Sequence, residues 1–213
     1  PWQLWDLKTG QPAAGADTLE TVAVLERALQ RMEEHGDAPH PGVLHMYVHT
    51  LEMSPFPERA LRAGDILRDL VPDAGHLRHM PSHIDVLCGD YRGAMITNQR
   101  AIEADSLYLA KEGPINFYTL YRSHNYHFKL YSAMSLGQYQ PALEAAEQLA
   151  ETIKEDLLRV ETPPMADWLE SFVSMKAHVQ IRFGKWQDIL ATPLPQDPTL
   201  YCVTTAMLHY AKG

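Results

Sequence analysis

Cysteine is nearly absent: Cys88 and Cys202 are the only two in 213 residues. Two thiols so far apart in a chain of this size argue against a disulfide framework and fit a reducing compartment. Positive charge is also scarce. Eighteen lysines and arginines face 27 aspartates and glutamates, a formal net charge of −9. That balance disfavours nucleic acid and anionic membranes as partners, because both reward basic side chains. No apolar run reaches the ~20 residues of a membrane span, so no membrane role is expected. Nor is there a nucleophile motif, a glycine-rich phosphate loop or a dinucleotide fingerprint. "RAGD" (62–65) and "LCGDY" (87–91) hold isolated glycines that serve helical turns.

What remains is a globular composition, 46% hydrophobic, 9% aromatic and 21% charged, enough for one sizeable core or a short repeat array. The chain opens on "PWQLWD" without a methionine and stops in mid-pattern at "LHYAKG". The expectation is a piece of a longer or processed protein, cytoplasmic, with any N-terminal targeting segment out of sight.

A 34-residue ruler runs through the chain. "PERALRAGDILRDLVPDA" (57–74) places Ala60, Gly64, Leu67 and Pro72 at spacings that "GDYRGAMITNQRAIEAD" (89–105) follows with Ala94, Asn98 and Ala101. Ala60 and Ala94 are 34 residues apart. "LGQYQPALEAAEQLAETI" (136–153) and "RFGKWQDILA" (182–191) continue the pattern after two insertions, near 107–122 and 154–166. Asp17 and Glu20 predict a capping box that opens a further helix, and Gly36 its stop. These segments resemble tetratricopeptide (TPR) repeats, whose period is about 34 residues. The resemblance implies an all-α solenoid of antiparallel helix pairs without a sheet. One helical-repeat domain spans 1–213, with repeats near 41–74, 75–106, 123–153 and 167–191.

On that ruler the histidines are not scattered. With Ala60, Ala94 and Ala142 set to repeat position 20, His45 and His79 take position 5, and His49 and His83 position 9. His124 and His127 of the third repeat take positions 2 and 5, and Tyr131 position 9. In TPR folds these places line the concave groove. The pairs in "HMYVHTLE" (45–52) and "HMPSHIDV" (79–86) share a helix face by their i, i+4 spacing. Clustered imidazoles repel one another if charged and leave polar nitrogens to be satisfied if neutral and dry. A bound cation resolves both problems.

The expected ligands are therefore His45, His49, His79, His83, His124 and His127. Nitrogen donors suit copper, iron, zinc or nickel and disfavour calcium or magnesium. "HMYVH" matches the zincin motif only in its outer histidines, since Met46 stands where the general-base glutamate belongs. Glu52 lies about 10 Å along a helix from His45 and is expected to orient an imidazole or to serve a second ion. Tyr47 and Tyr131 are candidate proton donors. Six histidines suffice for two three-nitrogen sites, the stoichiometry of oxygen-handling dicopper proteins, by analogy alone. Pro81 is expected to start a helix, leaving His79 in the approach to it and His76 just before.

The elements HxYxHxxE, HMPSHI and HNxHF, present as "HMYVHTLE", "HMPSHI" and "HNYHF", resemble a histidine-rich group of bacterial and fungal TPR-domain proteins. That resemblance implies fold and site more than reaction. The leading expectation is a metal-dependent enzyme acting on a small molecule in the groove, oxidative rather than hydrolytic. The alternative is a TPR adaptor holding a protein or peptide partner there. Adaptor grooves that clamp acidic C-termini use basic residues, where this chain places histidine, glutamate and tyrosine.

Overall fold

The computed structural model describes residues 3–213. Two compact units make up the chain, Pro1–Ala104 and Asp105–Gly213. Both are helical, and among the described residues there is no sheet, only an isolated bridge between Trp5 and Pro12. No helix among them is long and apolar enough to cross a membrane.

The first unit begins with a turn-rich segment whose Trp5 ring is buried and whose Nε1 donates to the Thr50 carbonyl at 2.7 Å. Helix α1, Thr18–His35, ends as its sequence demands. Gly36 adopts φ 67°, and the amides of Gly36 and Asp37 bond back to Glu33 and Met32. Its start differs from expectation, because the Asp17 side chain makes no capping bond. The Asp17 carbonyl instead accepts from the Thr21 amide and hydroxyl. Helix α2, Pro41–Leu51, starts on a proline that has no amide to waste at that position. It packs between α1 and α3, Leu61–Leu67, which follows a 3-10 turn at Pro57–Ala60. Helices α4, Gly75–His79, and α5, Pro81–Leu87, complete the face, and α6, Tyr91–Glu112, carries the chain onward.

Leu44, Val48, Leu51, Ala60, Leu67, Met80 and Ile84 form the core of this unit, all at or below 1% exposure. Ala60 is small because α2, α3 and α5 converge there, and Ala94 of α6 is equally buried. Arg68, at the end of α3, donates through Nη1 to Asp85 Oδ2 of α5 and to Thr97 Oγ1 of α6, each at 2.8 Å. It also reaches Asp65 at 3.1 Å.

In the second unit, α7, Thr119–Ser135, and α8, Tyr139–Thr152, pack along their lengths around Leu130, Ala133, Ala142 and Leu149. They are joined by a tight turn at Gly137, φ 71°. A short α9, Glu155–Leu158, leads to α10, Met165–Val173, α11, Met175–Arg182, α12, Trp186–Ala191, and α13, Cys202–Lys212. Gly184 makes the α11–α12 turn at φ 65°, as Gly89 does between α5 and α6 at φ 86°. Left-handed turns of this kind cost glycine little. Glu170, 3% exposed, accepts from the amides of Val203 and Thr204 and so satisfies the first turn of α13.

The stretch expected as an insertion at 107–122 is mostly regular. Its first residues prolong α6 by two turns, and its last ones open α7. Tyr108, Phe117, Tyr118 and Tyr121 pack on one another there, with ring centroids 4.8 to 6.2 Å apart, and the Tyr118 hydroxyl donates to Asp105 at 2.7 Å.

Candidate metal centre

Five imidazoles and one carboxylate converge within the first unit. Helix α2 supplies His45 and His49, one turn apart with ring centroids 4.7 Å from each other. The α4–α5 segment supplies His76, His79 and His83. Pro81 takes the first position of α5, where a missing amide is tolerated, and Met80 stays helical at φ −50°, ψ −42°. The path from α4 into α5 therefore stays close to one helical spiral, and residues i, i+3 and i+7 share a side of it. His79 is not an approach residue, as the proline suggested, but the end of a helical turn. His76, expected just before the helix, lies within α4 as well. The H-x2-H-x3-H spacing of 76, 79 and 83 was the signal.

The nitrogens face inward. His45 Nε2 and His76 Nε2 are 3.2 Å apart, and His79 Nε2 and His83 Nε2 are 2.9 Å apart. One nitrogen from each of His45, His49 and His76 lies within 4.8 Å of the other two, so these three form a group able to hold a metal ion.

Glu52 sits at the end of α2, 7% exposed, between two rings. Its Oε1 accepts from His49 Nδ1 at 2.9 Å, and its Oε2 stands 2.7 Å from His83 Nδ1. A carboxylate can only accept, so in the neutral ring His49 Nδ1 carries its proton and Nε2 is left as a lone-pair donor. His79, fully buried, is fixed the same way. Its Nδ1 meets Asn98 Oδ1 at 2.7 Å, while Asn98 Nδ2 donates to the Ala94 carbonyl at 2.8 Å and so sets the amide's orientation. Outer groups of this kind, which hold imidazoles in the Nδ1–H form, accompany metal-ligating histidines.

The electrostatics agree with neutral donors. Burial, and then repulsion from His49, push the His45 imidazole down to about 4. Burial pushes His76 to about 4 as well, reinforced by His45 and His49. At Glu52 burial acts to raise the carboxyl, but the contacts from His49 and His83 outweigh it and hold the group at about 2.

These shifts predict acid sensitivity in the metal-free protein. His45 and His76 take up protons near pH 6.5 when unfolded but only near 4 when folded, so stability falls as pH drops through that window. The contribution of Glu52 is complete above its ordinary 4.5 and lost between there and about 2, in the same direction. Both histidines are partly exposed, so solvent screening reduces the combined effect to about 1–3 kcal/mol between pH 7 and 4.5. Urea unfolding at the two pH values measures it. A His45→Gln/His76→Gln variant should show a flatter dependence, and equal midpoints for the parent protein would contradict the assignment.

Tyr47 falls two residues from both His45 and His49, about 200° round the helix. Its hydroxyl donates to Glu26 of α1 at 2.8 Å, and burial with that carboxylate pushes its pKa up to about 12. Arg59 pairs with the same oxygen, and Tyr47 lines a cleft of about 380 Å³ with Leu29, Met32, Arg62 and Ile66. His124, His127 and Tyr131 belong to α7 of the second unit. There His124 packs edge-on to Phe128 at 4.8 Å, and Tyr131 is 42% exposed. His127 lies 5.5 Å from Phe172, its pKa lowered by burial and then by His178. Cys88 and Cys202 are exposed and unbridged. No family model, curated protein or solved structure matches the chain, so the reading of this centre rests on its own geometry.

Proposed function

We propose that the chain is a metal-dependent enzyme built on TPR-like helix pairs, with a transition ion (copper, iron or zinc) held by His45, His49 and His76. The observation that carries this reading is the orientation of the rings. The Glu52 and Asn98 oxygens face the outer nitrogens of His49, His83 and His79, which favours the proton there and leaves the inner nitrogens toward their neighbours. Three imidazoles leave an ion of this class with an open position, which is where chemistry takes place in catalytic sites. A bound ion of this kind would polarise an oxygen ligand or exchange electrons with it. The residues of this chain would set ring orientation and keep the donors neutral. Oxidation of a small molecule is favoured over hydrolysis because Glu52, the carboxylate beside the imidazoles, is hydrogen-bonded to His49 and lies 2.7 Å from His83, which ties it to the rings.

Elemental analysis of purified, metal-replete protein tests the proposal. At least one tightly held ion per chain is expected. It should be lost in His49→Ala/His83→Ala and kept in His35→Ala, whose exposed ring bonds to the Arg31 carbonyl. No ion in the parent protein, or unchanged content in the double variant, would remove the metal reading and leave the adaptor.

A further inference from the structure

We infer that the centre is dinuclear, with a second ion seated between His79 and His83; this rests on the reading above. Three imidazoles meet the protein's share of one open-sided ion, and His45, His49 and His76 already supply them. His79 and His83 remain. Their Nδ1 atoms face the Asn98 oxygen and the Glu52 carboxylate, both of them acceptors, so in the neutral rings Nε2 is the nitrogen left to ligate. These two nitrogens stand 2.9 Å apart, with His79 completely buried. An ion beside these two nitrogens would take both as ligands.

The spacing suits a metal. Two nitrogens bound at about 2.0–2.1 Å stand about 2.9 Å apart at a right angle and about 3.3 Å apart at a tetrahedral one. The observed separations are 2.9 Å for His79 and His83 and 3.2 Å for His45 and His76. Each pair is thus a ready bite for its own ion.

The two bites are neighbours. His49 lies 5.8 Å from His83, and His76 lies 6.1 Å from His79, ring centroid to ring centroid. These distances match the 6.3 Å between His49 and His76 inside the first group. Glu52 touches a ring of each set, so one carboxylate positions donors for both ions. Ions so placed resemble two-metal sites, where separations of about 3.5–4 Å let one small ligand bridge. The ligand class this favours is a small oxygen donor, hydroxide or dioxygen, shared between the ions.

Metal-stripped protein reloaded with copper(II) provides the test. Two coppers per chain are expected, with an electron paramagnetic resonance intensity well below one spin per copper because the pair is coupled. His79→Gln should hold one copper and recover a full spin. If that variant fails to fold, His83→Gln gives the same readout, and the parent protein's own count is decisive without either. One copper per chain in the parent overturns the second ion and leaves the mononuclear reading standing, with a shared proton between His79 and His83. No copper, in a preparation that also takes up neither zinc nor iron, overturns both. Two coppers with two full spins overturn the shared ligand.

Discussion

Glu52→Gln should weaken metal binding by about 10–100-fold, although the side chain keeps its shape and Glu52 is not a ligand in this arrangement. The carboxylate accepts from His49 Nδ1 through Oε1, and its Oε2 lies 2.7 Å from His83 Nδ1. A glutamine offers one accepting oxygen and one donating amide. Whichever ring faces the NH2 group must give up its Nδ1 proton and carry it on Nε2, which cancels a donor aimed at the metal. The loss therefore comes from a tautomer and not from a missing bond to the ion. Chelator competition on the loaded protein reads the affinity. Nuclear magnetic resonance of the imidazole nitrogens reads the tautomer directly. Unchanged affinity would mean that Glu52 does not set the rings.

Arg68→Met carries the largest expected loss of stability, about 3–5 kcal/mol, because it strands a charge. Asp85 is 2% exposed, and Arg68 is its ion-pair partner on α3. Burial already pushes the Asp85 carboxyl up, with Arg68 pulling it back down. Without the guanidinium the carboxylate must stay charged and unpaired or take up a proton. The deficit should therefore shrink as pH falls. Arg68→Met/Asp85→Leu should recover most of the loss, since an apolar pair of similar volume avoids desolvating two charges. Denaturant unfolding of the two variants separates these cases. Equal stability of the single and double variants would show that the charge was never the problem.

Much of this was legible in the sequence, and the gaps have physical causes. Ala60, Ala94 and Ala142 mark buried places where neighbouring helices leave no room, so the ruler found them. The i, i+4 pairs in α2 and across α4–α5 were legible because helical periodicity alone brings them together. The orienting role of Glu52 also followed from spacing, since i+3 from His49 is within reach on one face. Three features were hidden. His76 was obscured by Pro81, whose effect on a helix depends on whether the turn before it is already complete. Asn98 reaches His79 from 19 residues away, a contact that no local pattern encodes. Tyr47 is expected as a proton donor from its place between His45 and His49, yet its hydroxyl is turned to Glu26 on the other side of the same helix.

Trp5 bears on how this protein should be handled. By holding the Thr50 carbonyl, its indole fastens the opening segment to the back of the helix that carries His45 and His49. Expression boundaries drawn at the first long helix would cut that tether away. Affinity tags are better placed ahead of it than spliced into it.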